Sequence, residues 1–186
     1  MAHQARADIL GQIGDRLLEK RPELAKLLGV LCGQWSWLEC NMSWLCSMLL
    51  GKYTPHNQRK GPPTHPLGIQ IFEALPNIHS RLELLQGLAG NLIPPDHKLT
   101  KELKDTVLPS IKRAATRRNH FIHTWWSLSK EYPDALLRGS STADIWMVYE
   151  ASDFREAINL IVNASHTVSK FTIKVRKFLR GRKRPK

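Results

Sequence analysis

The run Arg118-Asn119-His120-Phe121-Ile122-His123 brings an arginine, an amide and an imidazole together in one short stretch. A guanidinium is permanently charged and suited to a phosphate, and an imidazole moves a proton near neutral pH. Arg118, Asn119 and His123 therefore suffice for cleaving RNA without a metal. On a continuous helix Asn119 and His123 lie one turn apart on the same face, with Arg118 about 140° from the histidine. The arginine joins the other two only by curling round the helix or by lining a shared cleft.

The element that must position these groups is expected to be a helix from about Lys98 to Leu128, with Pro109 as a kink. Its apolar stripe reads Val107/Leu108, Ile111, Ala115, Arg118, Ile122, Trp125/Trp126. Arg118 thus occupies a position that periodicity assigns to a buried aliphatic residue, where a charge is costly unless it is paired. Its anion is either a substrate phosphate or an internal carboxylate, for which Glu39, Glu73 and Glu83 are the candidates. Lys112, Arg113 and Arg117 precede the run and add positive potential, as RNA contacts or as a solvated face. His120 is a second imidazole one turn before Thr124, expected to be exposed and counted among the RNA-contact candidates.

The motif, in this helical setting, resembles the Arg-x-x-x-x-His motif of the HEPN superfamily (higher eukaryotes and prokaryotes nucleotide-binding). In that family the residue after the arginine is usually polar, as Asn119 is. Many relatives follow the histidine with glycine, whereas this chain has Thr124. The resemblance implies a small α-helical bundle that dimerises and cleaves RNA without a cofactor, with Arg118, Asn119 and His123 as the catalytic residues. It further implies a role as the toxin or effector of a defence system, with an antitoxin or other defence-system protein as partner. The alternative is a HEPN-like module that binds nucleotide or a protein and catalyses nothing.

The rest of the sequence reads as an all-α chain of about four to five helices. A first helix is expected over Ala5 to Glu19. A second starts near Pro22 and runs towards Gly51, with Leu31, Trp35, Leu38, Met42, Leu45 and Leu49 as a packed seam. Lys52 to Pro66 is a basic, Pro- and Gly-rich loop. The series Ile71, Leu75, Ile78, Leu82, Leu85, Ala89, Leu92 stays in phase across Pro76, which predicts one kinked helix. Ser129 to Ser152 is irregular, with Asp144 to Tyr149 as a short strand or flap. Asp153 and Glu156 form a capping box for a last helix carrying Phe154, Ile158, Ile161, Val168, Val175 and Leu179.

Of the net charge of +12, nine positive charges follow Ser169 with no acid among them, which leaves about +3 on residues 1–169. The chain divides accordingly into a helical domain over 1–169 and a basic helix end and tail over 170–186. Arg176, Arg180, Arg182, Lys183 and Arg184 in that tail suit a phosphate backbone. A solvated tail, a membrane surface and an acidic protein are the other readings. Cys32, Cys40 and Cys46 have no metal-binding spacing and are expected to be buried in a reducing cytosol. Residues 1–10 have no apolar signal core, so secretion is not expected. Leu27 to Gly51 is long enough to span a bilayer, but Gln34, Ser36, Glu39, Asn41, Ser43 and Ser47 favour a central helix buried nearly all round.

Overall fold

The computed structural model describes residues 2–5, 17–51, 66–139 and 146–181. The described residues are mainly helical. In chain order they form strand β1 (His3–Ala5), helices α1 (Pro22–Gly51), α2 (Pro66–Ala74), α3 (Ile78–Leu92), α4 (Lys98–Glu102) and α5 (Leu108–Ile122), strands β2 (Trp126–Ser127), β3 (Leu136–Gly139) and β4 (Trp146–Tyr149), and helix α6 (Ala151–Gly181). A π-helical turn, Leu103–Val107, joins α4 to α5 without a break, so the helical stretches number five. These residues fall into two compact units, Met1–Trp35 with Ala114–Ile161, and Ser36–Arg113 with Val162–Lys186.

In the first unit the strands make one antiparallel sheet in the order β1-β4-β3-β2. The registers are His3↔Val148, Leu137↔Val148 and Trp126↔Arg138. Ala135, Leu137 and Val148 are buried together, with Tyr132 and Trp146 packed against them. A second cluster joins Phe121 of α5, Trp126 of β2, Tyr149 of β4 and Phe154 of α6, whose ring centroids lie 4.6–6.1 Å apart. Such edge-on and tilted rings bury large apolar surfaces and fix one another's orientation. Gly139 faces Trp146 across the β3–β4 pair, and a Cβ there would enter the indole ring.

The second unit is a helical bundle. Leu38, Met42, Leu45 and Leu49 of α1 are buried, as the seam requires, and so are Leu82, Leu85, Ala89 and Leu92 of α3. Ala164, Ser165, Val168, Phe171 and Val175 are buried positions of α6 in this unit. Asn41 Nδ2 donates to Ser165 Oγ at 2.7 Å, which satisfies a buried amide. Gly68 of α2 sits so close to α1 that an added Cβ would stand 2.6 Å from Ser47 Cα.

Several sequence expectations are corrected. The series across Pro76 is two helices, because the Asn77 side chain accepts from Ser80 N–H at 2.9 Å and caps α3. Arg81 Nε then donates to the Leu75 carbonyl at 3.1 Å, serving a backbone acceptor left at the break. Ile71 is exposed and Phe72 takes the inward place. Near Pro109, where a kink was expected, the helix carries a π turn just before the proline, a widening that accommodates a residue which lacks an N–H and crowds the preceding turn.

Ala5 lies in a strand and Leu18–Lys20 in a 3-10 turn; the middle of the expected first helix, and the Lys52–Pro66 loop apart from Pro66, lie outside the described residues. Of the expected irregular region, Leu136–Gly139 and Trp146–Tyr149 are strands, the latter matching the short strand expected there. Helix α1 is not buried all round, since Trp37 and Trp44 are 50% and 42% exposed. Among the cysteines only Cys46 is buried; Cys40 is half-buried and Cys32 exposed. No helix of the described residues is long and apolar enough to cross a membrane.

Candidate functional site

The stretch Ala114–Ile122 of α5 belongs to the first unit and turns Ala114, Ala115 and Phe121 inward. Helix α5 ends at Ile122, well short of Leu128. Trp126 is drawn instead into the aromatic cluster and into pairing with Arg138, as the aromatic and β-branched residues after Ile122 allow. His123 therefore stands just beyond the helix. Its N–H still donates to the Asn119 carbonyl at 3.2 Å, which ties the histidine to the last turn.

Arg118 is half-buried, and its guanidinium lies over the Trp35 indole, with Cζ 5.3 Å from the ring centroid. From there Nη1 reaches Asn119 Oδ1 at 3.0 Å and His123 Nε2 at 3.0 Å. The three groups singled out by the sequence converge, and the arginine does curl round the helix to make them do so. A guanidinium only donates, so in this contact Nε2 carries the lone pair and Nδ1 the proton. Among the described residues no carboxylate pairs with Arg118. Glu39 bonds Arg81 and Glu83 lies 3.1 Å from His79, while burial, then the charge of Glu73, raises the Cys40 thiol above its usual range.

Arg117, one residue earlier, has the paired environment considered for Arg118. Its Nη2 lies 3.0 Å from Glu156 Oε2 and 3.7 Å from Oδ1 of Asp153, which is 2% exposed. Its Cζ sits 5.6 Å from the Phe121 ring centroid. Asp153 is the third residue of α6 rather than its cap, and it accepts from the Glu150 N–H at 3.0 Å. Asp153 thus makes the back-reaching half of a capping box, to Glu150 before the helix, which leaves Glu156 to Arg117.

His120 is half-buried rather than exposed. Burial, then the charges of Arg138 and Arg117, holds its imidazole below the usual histidine range. Arg138 on β3 was not singled out by the sequence, and neither was Trp35, whose seam position looks like any core residue. Trp125 was placed on the buried stripe and is instead 80% exposed. In the second unit Lys112, Arg113 and Arg180 are exposed and Arg176 is half-buried. Lys174 pairs with Glu102 at 2.6 Å. Arg182, Lys183 and Arg184 lie outside the described residues. Among the described residues no three His, Cys, Asp or Glu side chains cluster as metal ligands would.

The arrangement is a free cation, an imidazole and an amide at a half-open helix end, supported by a sheet and an aromatic cluster. It can bind an anion at Arg118 and exchange a proton at His123. No protein-family model, curated protein or solved structure matches the chain.

Proposed function

We propose that this chain is a metal-independent endoribonuclease of the HEPN type. The observation that carries the reading is Arg118 Nη1 at 3.0 Å from His123 Nε2, with no carboxylate among the described residues to neutralise the arginine. A guanidinium left unmatched beside an imidazole suits a substrate phosphate.

In the free protein Arg118 caps the lone pair that a general base needs. A phosphate offers the guanidinium a stronger, charge-assisted bidentate partner, so substrate binding draws Arg118 off Nε2 and uncovers the base. His123 then takes the proton of a ribose 2′-hydroxyl, whose oxygen bonds to the adjacent phosphorus as the bond to the 5′-oxygen breaks. Arg118 stabilises the charge on the phosphoryl oxygens, and Asn119 holds Arg118 and the His123 backbone in register. The products are a 2′,3′-cyclic phosphate and a 5′-hydroxyl. In a homodimer, a second His123 supplies the proton to the leaving oxygen.

The role proposed with this chemistry is that of a cytoplasmic toxin or defence effector held in check by a partner protein. The test is cleavage of an RNA in chelator, with an all-deoxy strand as control, by wild type and by Arg118→Ala and His123→Ala. Wild type is expected to cut only the RNA, with both variants folded and inactive. Cutting of the deoxy strand, or activity that chelation abolishes and a divalent metal restores, excludes this mechanism.

The competing reading is a non-catalytic HEPN-like module in which the same contacts lock the end of α5. The His123 N–H bond to Asn119 favours it. Loss of folding in both variants would support that reading.

A further inference from the structure

We infer that Trp125 is a stacking platform for an unpaired nucleobase next to the phosphate held at Arg118, which restricts the substrate to single-stranded RNA. The inference rests on the ribonuclease reading for the identity of the ligand, and on separate observations for the platform.

Trp125 and Trp126 are adjacent and have opposite fates. Trp126 is 7% exposed among Phe121, Tyr149 and Phe154, whereas Trp125 is 80% exposed. Among the described residues no ring stacks on Trp125. Trp126 is anchored by its rings and by the Trp126↔Arg138 pair, and His123 is anchored to Asn119. The backbone that carries Trp125 is therefore held on both sides while its indole faces solvent.

One residue, Thr124, separates Trp125 from His123, a span of at most about 7 Å between Cα atoms. A phosphate at Arg118 and a ring on Trp125 are thus within reach of one nucleotide and its neighbour. Aromatic stacking accepts any base face but needs that face free of its helical neighbours, so a duplex is excluded and sequence is not read. An apolar protein segment would also cover an indole. The free guanidinium and the imidazole beside it favour a ligand that carries a negative charge together with a flat ring.

The probe is a fluorescently labelled oligoadenylate with 2′-O-methyl riboses, which binds but cannot cyclise. Its affinity for wild type, Trp125→Ala and Trp125→Phe is measured by anisotropy, single-stranded and paired with its complement. Trp125→Ala is expected to weaken single-strand binding by about 5- to 150-fold, the range that one base–aromatic stack confers. Trp125→Phe is expected to keep most of the affinity, and duplex binding to be weak and unchanged. All three proteins should melt together, because Trp125 packs against little.

Equal single-strand affinity for wild type and Trp125→Ala overturns the inference. So does a change of oligomeric state in Trp125→Ala without an effect on RNA, which assigns the indole to a protein interface. Cleavage of the unmodified strand, followed in parallel, separates the two ideas. Trp125-dependent binding without any cleavage sinks the enzyme and leaves the platform; cleavage with Trp125-independent binding does the reverse.

Discussion

Arg117 and Arg118 are neighbours in sequence, and the structure predicts opposite consequences for losing them. Arg117→Met removes a cation beside Asp153, a carboxylate 2% exposed that also accepts from the Glu150 N–H. Breaking a buried ion pair costs about 3–5 kcal/mol. Here the 3.7 Å separation and the 20% exposure of Arg117 reduce that, as does the location of its second partner Glu156, 49% exposed. A loss of about 2–3 kcal/mol remains once the Phe121 contact is included, or about 4–12 °C in melting temperature for a chain of this size. Arg118→Met removes two hydrogen bonds between partly solvated groups and the contact with the Trp35 ring, and should cost about 1–2 kcal/mol. On RNA cleavage the order reverses. Losing the charge that faces the phosphoryl oxygens should lower kcat by about 10²–10³, against a small effect for Arg117→Met in the folded protein. Thermal melting and a single-turnover cleavage assay on both variants make the test. If Arg118→Met melts lower than Arg117→Met yet cleaves normally, the division of labour between the two arginines is wrong.

The sheet, the cysteines and His120 each give a further test. A Cβ on Gly139 enters the Trp146 ring, so Gly139→Ala should destabilise by about 1–3 kcal/mol in urea unfolding; an unchanged midpoint would show that β3 and β4 are not paired as described. Burial pushes the Cys46 thiol up to about 11, which leaves on the order of one thiolate in a thousand at pH 8. Iodoacetamide should accordingly label exposed Cys32 in the native protein and reach Cys46 only after denaturation, and equal labelling rates would contradict the packing of α1. His120 has its folded value lowered below 6.5 by burial, Arg138 and Arg117. Between that lowered value and 6.5 the unfolded chain binds more protons, so His120 contributes stability above the window that is lost as pH falls through it. His120→Asn should flatten the acid side of a stability-versus-pH curve, and a slope equal to wild type refutes the assignment.

The parts of the fold legible in sequence are those with long periodic runs. Leu31 to Leu49 of α1 and Phe154 to Val175 of α6 repeat over enough turns for the buried face to average out local exceptions such as Trp44. The sheet escaped because its strands are two to four residues long and β1 finds its partner β4 from the far end of the sequence. Periods cannot register in segments that short. The kinked helix failed for a related reason: Ile71 and Leu75 were in phase with α3 by coincidence, while the residues α2 turns inward are Gly68 and Phe72.

At the site, periodicity located Arg118 on the inward side of α5 but carried no information about where a long side chain leaves that side. Sequence alone offers Glu39, Glu73 and Glu83 as the buried carboxylate and Asp153 only as a helix cap, yet the buried carboxylate of this region is Asp153, and it faces Arg117. A carboxylate on the first turn of α6 is stabilised by free N–H groups and the helix dipole, so it can be buried at modest cost and still hold Arg117. The five-residue spacing of Arg118 and His123 is then explained by the end of a helix. On a continuous helix the two would point about 140° apart. Because α5 stops at Ile122, His123 leaves the helical path while its N–H remains on Asn119, and the arginine spans one turn to meet its Nε2. The aromatic anchor at Trp126 that ends the helix is thus as much a condition of the site as the three polar groups themselves.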